Sequence, residues 1–258
     1  MDKIDSTLSL KFPKVGQELK IIIESGHIYT HESPSLEHKV SASWGSLLSG
    51  YFSLFGASVE KWLFIDNYNP QFEGRTQVLD TVGYLASLSG WGFGPDVVFN
   101  EADLVPQAKE VLDYLEKEGY AGKHPNGKTV LFKGGVLLYS PEEDRYMCSL
   151  LDACLYLEKL KKADSCITVL ESQYSSQQKG TLAILKKLDA DTGRIFPFFY
   201  SLPASEGHVS SHCSNVFAGG SAVGIIEPAL ALLQAVARLS GKVSTDGISE
   251  IEVAGYDL

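Results

Sequence analysis

The stretch Glu24-Ser25-Gly26-His27-Ile28-Tyr29-Thr30-His31-Glu32-Ser33-Pro34 brings two histidines, two glutamates and two serines together directly after the apolar run Leu19-Lys20-Ile21-Ile22-Ile23. Such a set could bind a metal, carry a nucleophile with its base, or cap a turn. His27 and His31 are four apart, as on one helix face, but Gly26, the β-branched Ile28 and Thr30, and Pro34 oppose a helix there. A zinc site also needs a third ligand that the spacing does not supply, so no metal is expected. Ser25 as an acyl-accepting nucleophile, with His27 or His31 as general base, is the catalytic reading. The other reading is that these residues cap the turn and the helix after it, and residue types alone leave both open.

Three further features carry chemistry. His208 and His212 repeat the four-residue spacing in a polar loop, which favours loop residues over ligands. The glycine-rich Phe217–Gly224, "FAGGSAVG", precedes a helical pattern and could cradle a phosphate, but it lacks the Lys-Ser/Thr ending of a P-loop. Asp152 interrupts the apolar "LLDACLYL", where an unpaired carboxylate is costly to bury. It must either pair with a neighbouring Lys or Arg or face a cationic ligand.

The elements that would position these residues alternate between strand and helix. The apolar run before Glu24 reads as a strand, "SASWGSLLSGYFSLFG" as a helix and "KWLFIDNYNP" as a strand, a β-α-β unit. A helical "TQVLDTVGYLASLSG", the strand "DVVFN", the amphipathic "EADLVPQAKEVLDYLEKEGY" and a hairpin of "KTVLFK" with "GVLLYS" follow. The second half reads as helix "CSLLDACLYLEKLKK", strand "SCITVLES", helix "SSQQKGTLAILKKL", strand "RIFPFFYSL" and helix "IEPALALLQAVARL". This order predicts one α/β domain over 1–258: a Rossmann-like, doubly wound parallel sheet with a small helical and hairpin insertion around 96–145. Ligands of such sheets lie beyond the carboxyl ends of the strands, where the opening stretch sits.

Composition narrows the function. With 258 residues, 44% hydrophobic and 21% charged, the chain can bury a full core. No apolar run approaches the ~20 residues that span a bilayer, and no signal-peptide pattern opens the sequence, so a cytoplasmic location is expected. Cys148, Cys154, Cys166 and Cys213 have irregular spacing and read as reduced, mostly buried thiols. A formal charge of −10 argues against a broad nucleic-acid footprint. Local positive surface is expected at Lys159–Lys162, at Lys186 and Lys187, and between Lys117 and Lys133.

The segments "PDVVFNEADLVPQAKEVLDYLEKEGY", "KGGVLLYS" and "YMCSLLDACLYLEKLKKADSCITVLESQYSSQQKGTLAILKKL" resemble, in order, spacing and hydrophobic pattern, the catalytic domain of arginyl-tRNA synthetases. That family has "DVWFSESSLY…VEEVLEELKEKG", a "GALWF" strand and "TTDIAYHLDKL". Registering the last histidine of the family's HxGH signature on His38 implies that Glu24 and Asp152 bind the arginine side chain. A guanidinium offers forked donors to carboxylates, which suits two acids facing one pocket. Gln173 or Tyr174 then falls where the substrate amino group or side chain is contacted.

The departures are equally informative. Ser35-Leu36-Glu37-His38 lacks the first histidine and the glycine of HxGH, and the 210–224 segment lacks the lysine of the "KMSTRKG" loop. Without that lysine, a large electrostatic term for pyrophosphate departure is missing, so adenylation is not expected. Nor does a counterpart of the α-helical anticodon-binding domain follow in this sequence. A synthetase-like pocket without ATP chemistry resembles the cyclodipeptide synthases, in particular those making arginine-containing products. The resemblance implies an aminoacyltransferase of natural-product biosynthesis that uses arginyl-tRNA and a second aminoacyl-tRNA, without cofactor or membrane. An ATP-dependent arginine ligase and an inactive arginine-binding paralogue are the alternatives.

Overall fold

The computed structural model describes residues 19–25, 28–29, 36–66, 68, 88–90 and 92–200. Its first strand, β1 (Lys20–Glu24), is a β-branched run whose Ile21, Ile22 and Ile23 are buried. Side chains alternate along it. Ile21 and Ile23 pack with Val40, Leu48 and Phe52 of α1 (Leu36–Leu54), whereas Ile22 joins a second core on the opposite face. Burial of each such isoleucine contributes about 1.5–3 kcal/mol. Helix α1 begins at Leu36, ahead of the expected start at Ser41.

The main sheet is parallel at every pairing. Its path runs β10 (Ile195–Tyr200), β9 (Ser165–Glu171), β1, β3 (Ser58–Asp66), with β4 (Val97–Asn100) also on β3. The two-residue β2 (Ile28–Tyr29) pairs with Ile65 and Asp66, beyond the part of β3 that β1 covers. Hence the chain leaving Glu24 continues along the carboxyl edge of the sheet. On the second face lie α2 (Val105–Lys117), α3 (Cys148–Lys162) and α4 (Ser175–Lys187), whose Leu112, Leu150, Leu151 and Ile184 share a core with Ile22, Trp62 and Phe64. Helices on both faces of a parallel sheet are the doubly wound arrangement expected.

The segment read as an insertion holds the expected hairpin and two further strands. It forms a separate antiparallel sheet of β5 (Ala121–Lys123), β6 (Thr129–Leu131), β7 (Leu137–Ser140) and β8 (Arg145–Tyr146), in that order. The β6–β7 connection needs Gly134 and Gly135, whose φ angles of 107° and 63° lie where side chains are disfavoured. The segment before β4 that reads as a helix falls largely outside the described residues. The last expected helix, "FAGGSAVG", His208, His212 and Cys213 lie wholly outside them.

Candidate functional site

A cleft opens at the carboxyl ends of β1, β9 and β10. Glu24 ends β1, Thr168 through Glu171 form one wall, and Tyr200 ends β10. Helix α1 supplies His38 and Ser41 from its first turns, α3 supplies Asp152, Leu155 and Tyr156, and the start of α4 supplies Gln177 and Gln178. The short helical turn before α4 adds Tyr174. Glu24 and Asp152 are thus on one cleft, carried by β1 and α3.

Their electrostatics differ. Glu24 is only 5% exposed and forms an ion pair with Lys159, which is fully buried. Thr168 donates to Glu24 at 3.3 Å, Tyr156 donates to Thr168 at 2.7 Å, and Gln178 donates to Tyr156 at 3.0 Å. This network gives a buried carboxylate a cation and a hydroxyl as partners. Lys159 belongs to the run expected to be positive surface, so that expectation is corrected: its ammonium is inside, while Lys161 and Lys162 are exposed. Burial raises the Tyr156 hydroxyl pKa well above the usual phenol value, so this tyrosine works as a neutral hydrogen-bonding group.

Among the described residues Asp152 forms no ion pair. It accepts from Gln177 Nε2 at 2.7 Å. Burial pushes its carboxyl up to about 7; the Gln177 bond and the nearby Lys159 pull the other way, and the charges of Glu24 and Asp66 add to the rise. A carboxylate so poised gains most from a cation that enters the cleft.

Other sequence-predicted residues sit elsewhere. Ser25 is 1% exposed and does not line the cleft; its hydroxyl donates to the Ser41 carbonyl at 2.5 Å and lies 3.1 Å from Ser41 Oγ. It packs so tightly on α1 that a Cβ at Gly45 would stand 2.5 Å from its own. Gln173 is exposed and donates to Glu171 at 2.6 Å, outside the cleft lining, whereas its neighbour Tyr174 is inside it. His27 and His31 lie outside the described residues.

Sequence reasoning missed Lys159, Thr168, Tyr156, Gln177 and Gln178. Asp152, Tyr156 and Lys159 follow one another at spacings of four and three, one face of a helix, and that was the available signal.

A second buried acidic pair lies at the neighbouring strand ends. Glu101, 2% exposed, hydrogen-bonds Asp66, which ends β3, and also accepts from the Tyr68 amide at 3.3 Å. Burial first, then the bond to Asp66 and the Asp66 charge, raise the Glu101 carboxyl far above the usual range, so it is held protonated. Burial also pushes the Cys148 and Cys154 thiols up to about 12 and Cys166 up to about 11, which removes them as ready thiolates. Among the described residues no group of three or more His, Cys, Asp or Glu could hold a metal ion, and no helix is long and apolar enough to cross a membrane.

No protein-family profile matches the sequence, and no curated protein matches it. Solved structures do. A protein described as an arginyl-tRNA synthetase of Campylobacter jejuni superposes with a TM-score of 0.57 at 12% identity, covering 74% of this chain and 56% of that one. Arginyl-tRNA synthetase of Plasmodium falciparum gives 0.54 at 11% identity, covering 86% and 50%, and that of Thermus thermophilus gives 0.52 at 12%, covering 74% and 49%. The chain spans about half the length of these structures. At such identities the likeness speaks for architecture: the chain has a mixed α/β, Rossmann-like fold of the class I synthetase type.

Proposed function

We propose that the protein is an aminoacyltransferase that takes the arginyl group from arginyl-tRNA and joins it to a second aminoacyl-tRNA, releasing a cyclic dipeptide. The observation that carries the reading is Asp152: a carboxylate with no ion pair among the described residues, facing a cleft on a fold shared with arginyl-tRNA synthetases. A guanidinium would complete its charge and donate to the flanking hydroxyl oxygens. Glu24, already neutralised by Lys159, adds a hydrogen-bond acceptor more than a second free charge.

Such transfer needs no ATP, because the ester on tRNA is already activated. The α-amine of one aminoacyl group attacks the ester carbonyl of the other. A C–N bond forms, the C–O bond to the ribose breaks, and the tRNA hydroxyl leaves with the proton the amine gives up. Repetition at the remaining ester closes the ring. The chain must place two acyl ends and accept a proton. His27 or His31, each following Glu24 closely in the sequence, is the proposed base. The burial of Ser25 against Ser41 favours direct aminolysis over a seryl ester.

The same burial favours one alternative, an arginine-binding domain without turnover. Purified protein mixed with arginyl-tRNA and a pool of other aminoacyl-tRNAs separates the two. An arginine-containing cyclic dipeptide by mass spectrometry supports the transferase; bound arginine with no product supports the binding domain.

A further inference from the structure

We infer that the two faces of the parallel sheet divide the cleft between two aminoacyl groups, and that Glu171 makes the second position refuse an acidic side chain. The inference rests on the transferase reading, with the arginyl group at Asp152.

Strand alternation sorts the lining residues. Glu24 on β1 is in phase with Ile22, and its register partner Thr168 on β9 is in phase with Cys166. Ile22 and Cys166 belong to the core shared with α3, the helix that carries Asp152 and Tyr156. The α3 side of the cleft is therefore the arginyl side. Val169 and Tyr200 belong instead to the core packed on α1. Glu171 lies two residues beyond Val169 and is the register partner of Tyr200 on the adjacent parallel strand, so its side chain leaves β9 on the α1 side. There the cleft is completed by His38 and Ser41, from the first turns of α1. Ser41 Oγ donates to the Val169 carbonyl at 3.4 Å and fastens the helix to this wall.

Charge on the α1 side is not balanced by the protein. Glu171 is half-buried, accepts from the Gln173 amide at 2.6 Å and forms no ion pair among the described residues. No lysine or arginine among the described residues lines the cleft, and Lys159 is committed to Glu24 on the α3 side. A guanidinium at Asp152 restores neutrality on its own side only. A second carboxylate entering the α1 side then meets Glu171 with no cation between them, which opposes binding, whereas an amide or an ammonium donates to it. The attacking α-amine is no lasting counter-ion, because it must be unprotonated to reach the ester carbonyl.

The experiment measures, by calorimetry on the full chain, binding of arginyl dipeptide amides whose second residue is glutamine, glutamate or lysine. It is run at about pH 8, where an ordinary imidazole is uncharged. The glutamine and glutamate probes have nearly the same shape, so their affinity ratio reads charge. Wild type should bind the glutamate probe at least about tenfold more weakly than the glutamine probe, and the lysine probe no more weakly than the glutamine probe. Glu171→Gln should bring the glutamate and glutamine probes within about twofold of each other, and Glu171→Lys should reverse their order. Asp152→Asn should weaken all the probes alike and leave the ratio unchanged. A carboxylate that only holds Gln173 would move every probe together. A wild-type ratio near one, or a ratio that Glu171→Gln does not change, overturns the inference while the arginyl reading stands. Failure of every probe to bind, or binding indifferent to Asp152→Asn, removes the arginyl reading and this inference with it.

Discussion

Lys159, fully buried on α3, pairs its ammonium with the carboxylate of Glu24 at the end of β1, so one of the three acids on the cleft, Glu24, Asp152 and Glu171, arrives with its own cation. The pair sets the specificity problem. A free guanidinium finds Asp152, which has no ion pair among the described residues, Glu171 at the end of β9, and a neutral hydrogen-bonding wall of Thr168, Tyr156 and Gln178.

Removing one member of this pair should be costly. Lys159→Met leaves Glu24 buried and uncompensated, and denaturant unfolding should show a loss of about 3–5 kcal/mol. Adding Glu24→Gln to the same variant should recover much of that loss. A single variant within about 1 kcal/mol of wild type would mean that the two charges are not coupled.

Arginine recognition should depend on pH through Asp152. Its carboxyl, pushed up to about 7, is increasingly neutral as pH falls below that value. A guanidinium prefers the charged form, so affinity for N-acetyl-arginine amide, measured by calorimetry, should rise with pH up to about 7 and level off above it. Asp152→Asn should weaken binding by about 2–5 kcal/mol and abolish the pH dependence. A variant with unchanged affinity would remove Asp152 from the site.

Glu101 gives a stability signature of the same origin. Folded, it keeps its proton well above the ordinary carboxylate range; unfolded, it gives the proton up. The unfolded state then binds fewer protons, so stability must fall as pH rises above that range, and Asp152 adds the same sign up to about 7. Thermal melting of Glu101→Gln from about pH 5 to 8 should therefore show a flatter profile than wild type. Parallel profiles would show that Glu101 is not held protonated.

Ser25 should not be an acyl carrier. After mixing with arginyl-tRNA alone, intact-mass analysis should find no arginyl adduct, and Ser25→Ala should keep turnover while losing about 0.5–1.5 kcal/mol with its hydrogen bond to Ser41. His27→Ala or His31→Ala should slow transfer. An adduct on Ser25 would reinstate the covalent route.

Much of this was legible from pattern. The β-branched run ending at Glu24, the amphipathic α2 and the apolar faces of α3 and α4 each bury the residues their period selects. The site was read less well, for two physical reasons. Grouping Glu24 with Ser25 ignored strand alternation, which sends Glu24 toward α3 and the cleft and Ser25, in phase with Ile21 and Ile23, toward α1. Lys159 was taken as part of a solvated charge run, because its partner is 135 residues away and no local period signals that contact. The β6–β7 hairpin was expected, but the flanking β5 and β8 escaped for a related reason: strands of three and two residues are too short to display alternation.

The most direct test of the central claim is product formation from purified arginyl-tRNA and a pool of aminoacyl-tRNAs in the absence of ATP and divalent metal beyond that needed to fold the tRNA. The account predicts an arginine-containing cyclic dipeptide, detected by mass spectrometry and lost in Asp152→Asn. Turnover of free arginine with ATP and no tRNA, or no product from any charged tRNA despite arginine binding, would contradict it.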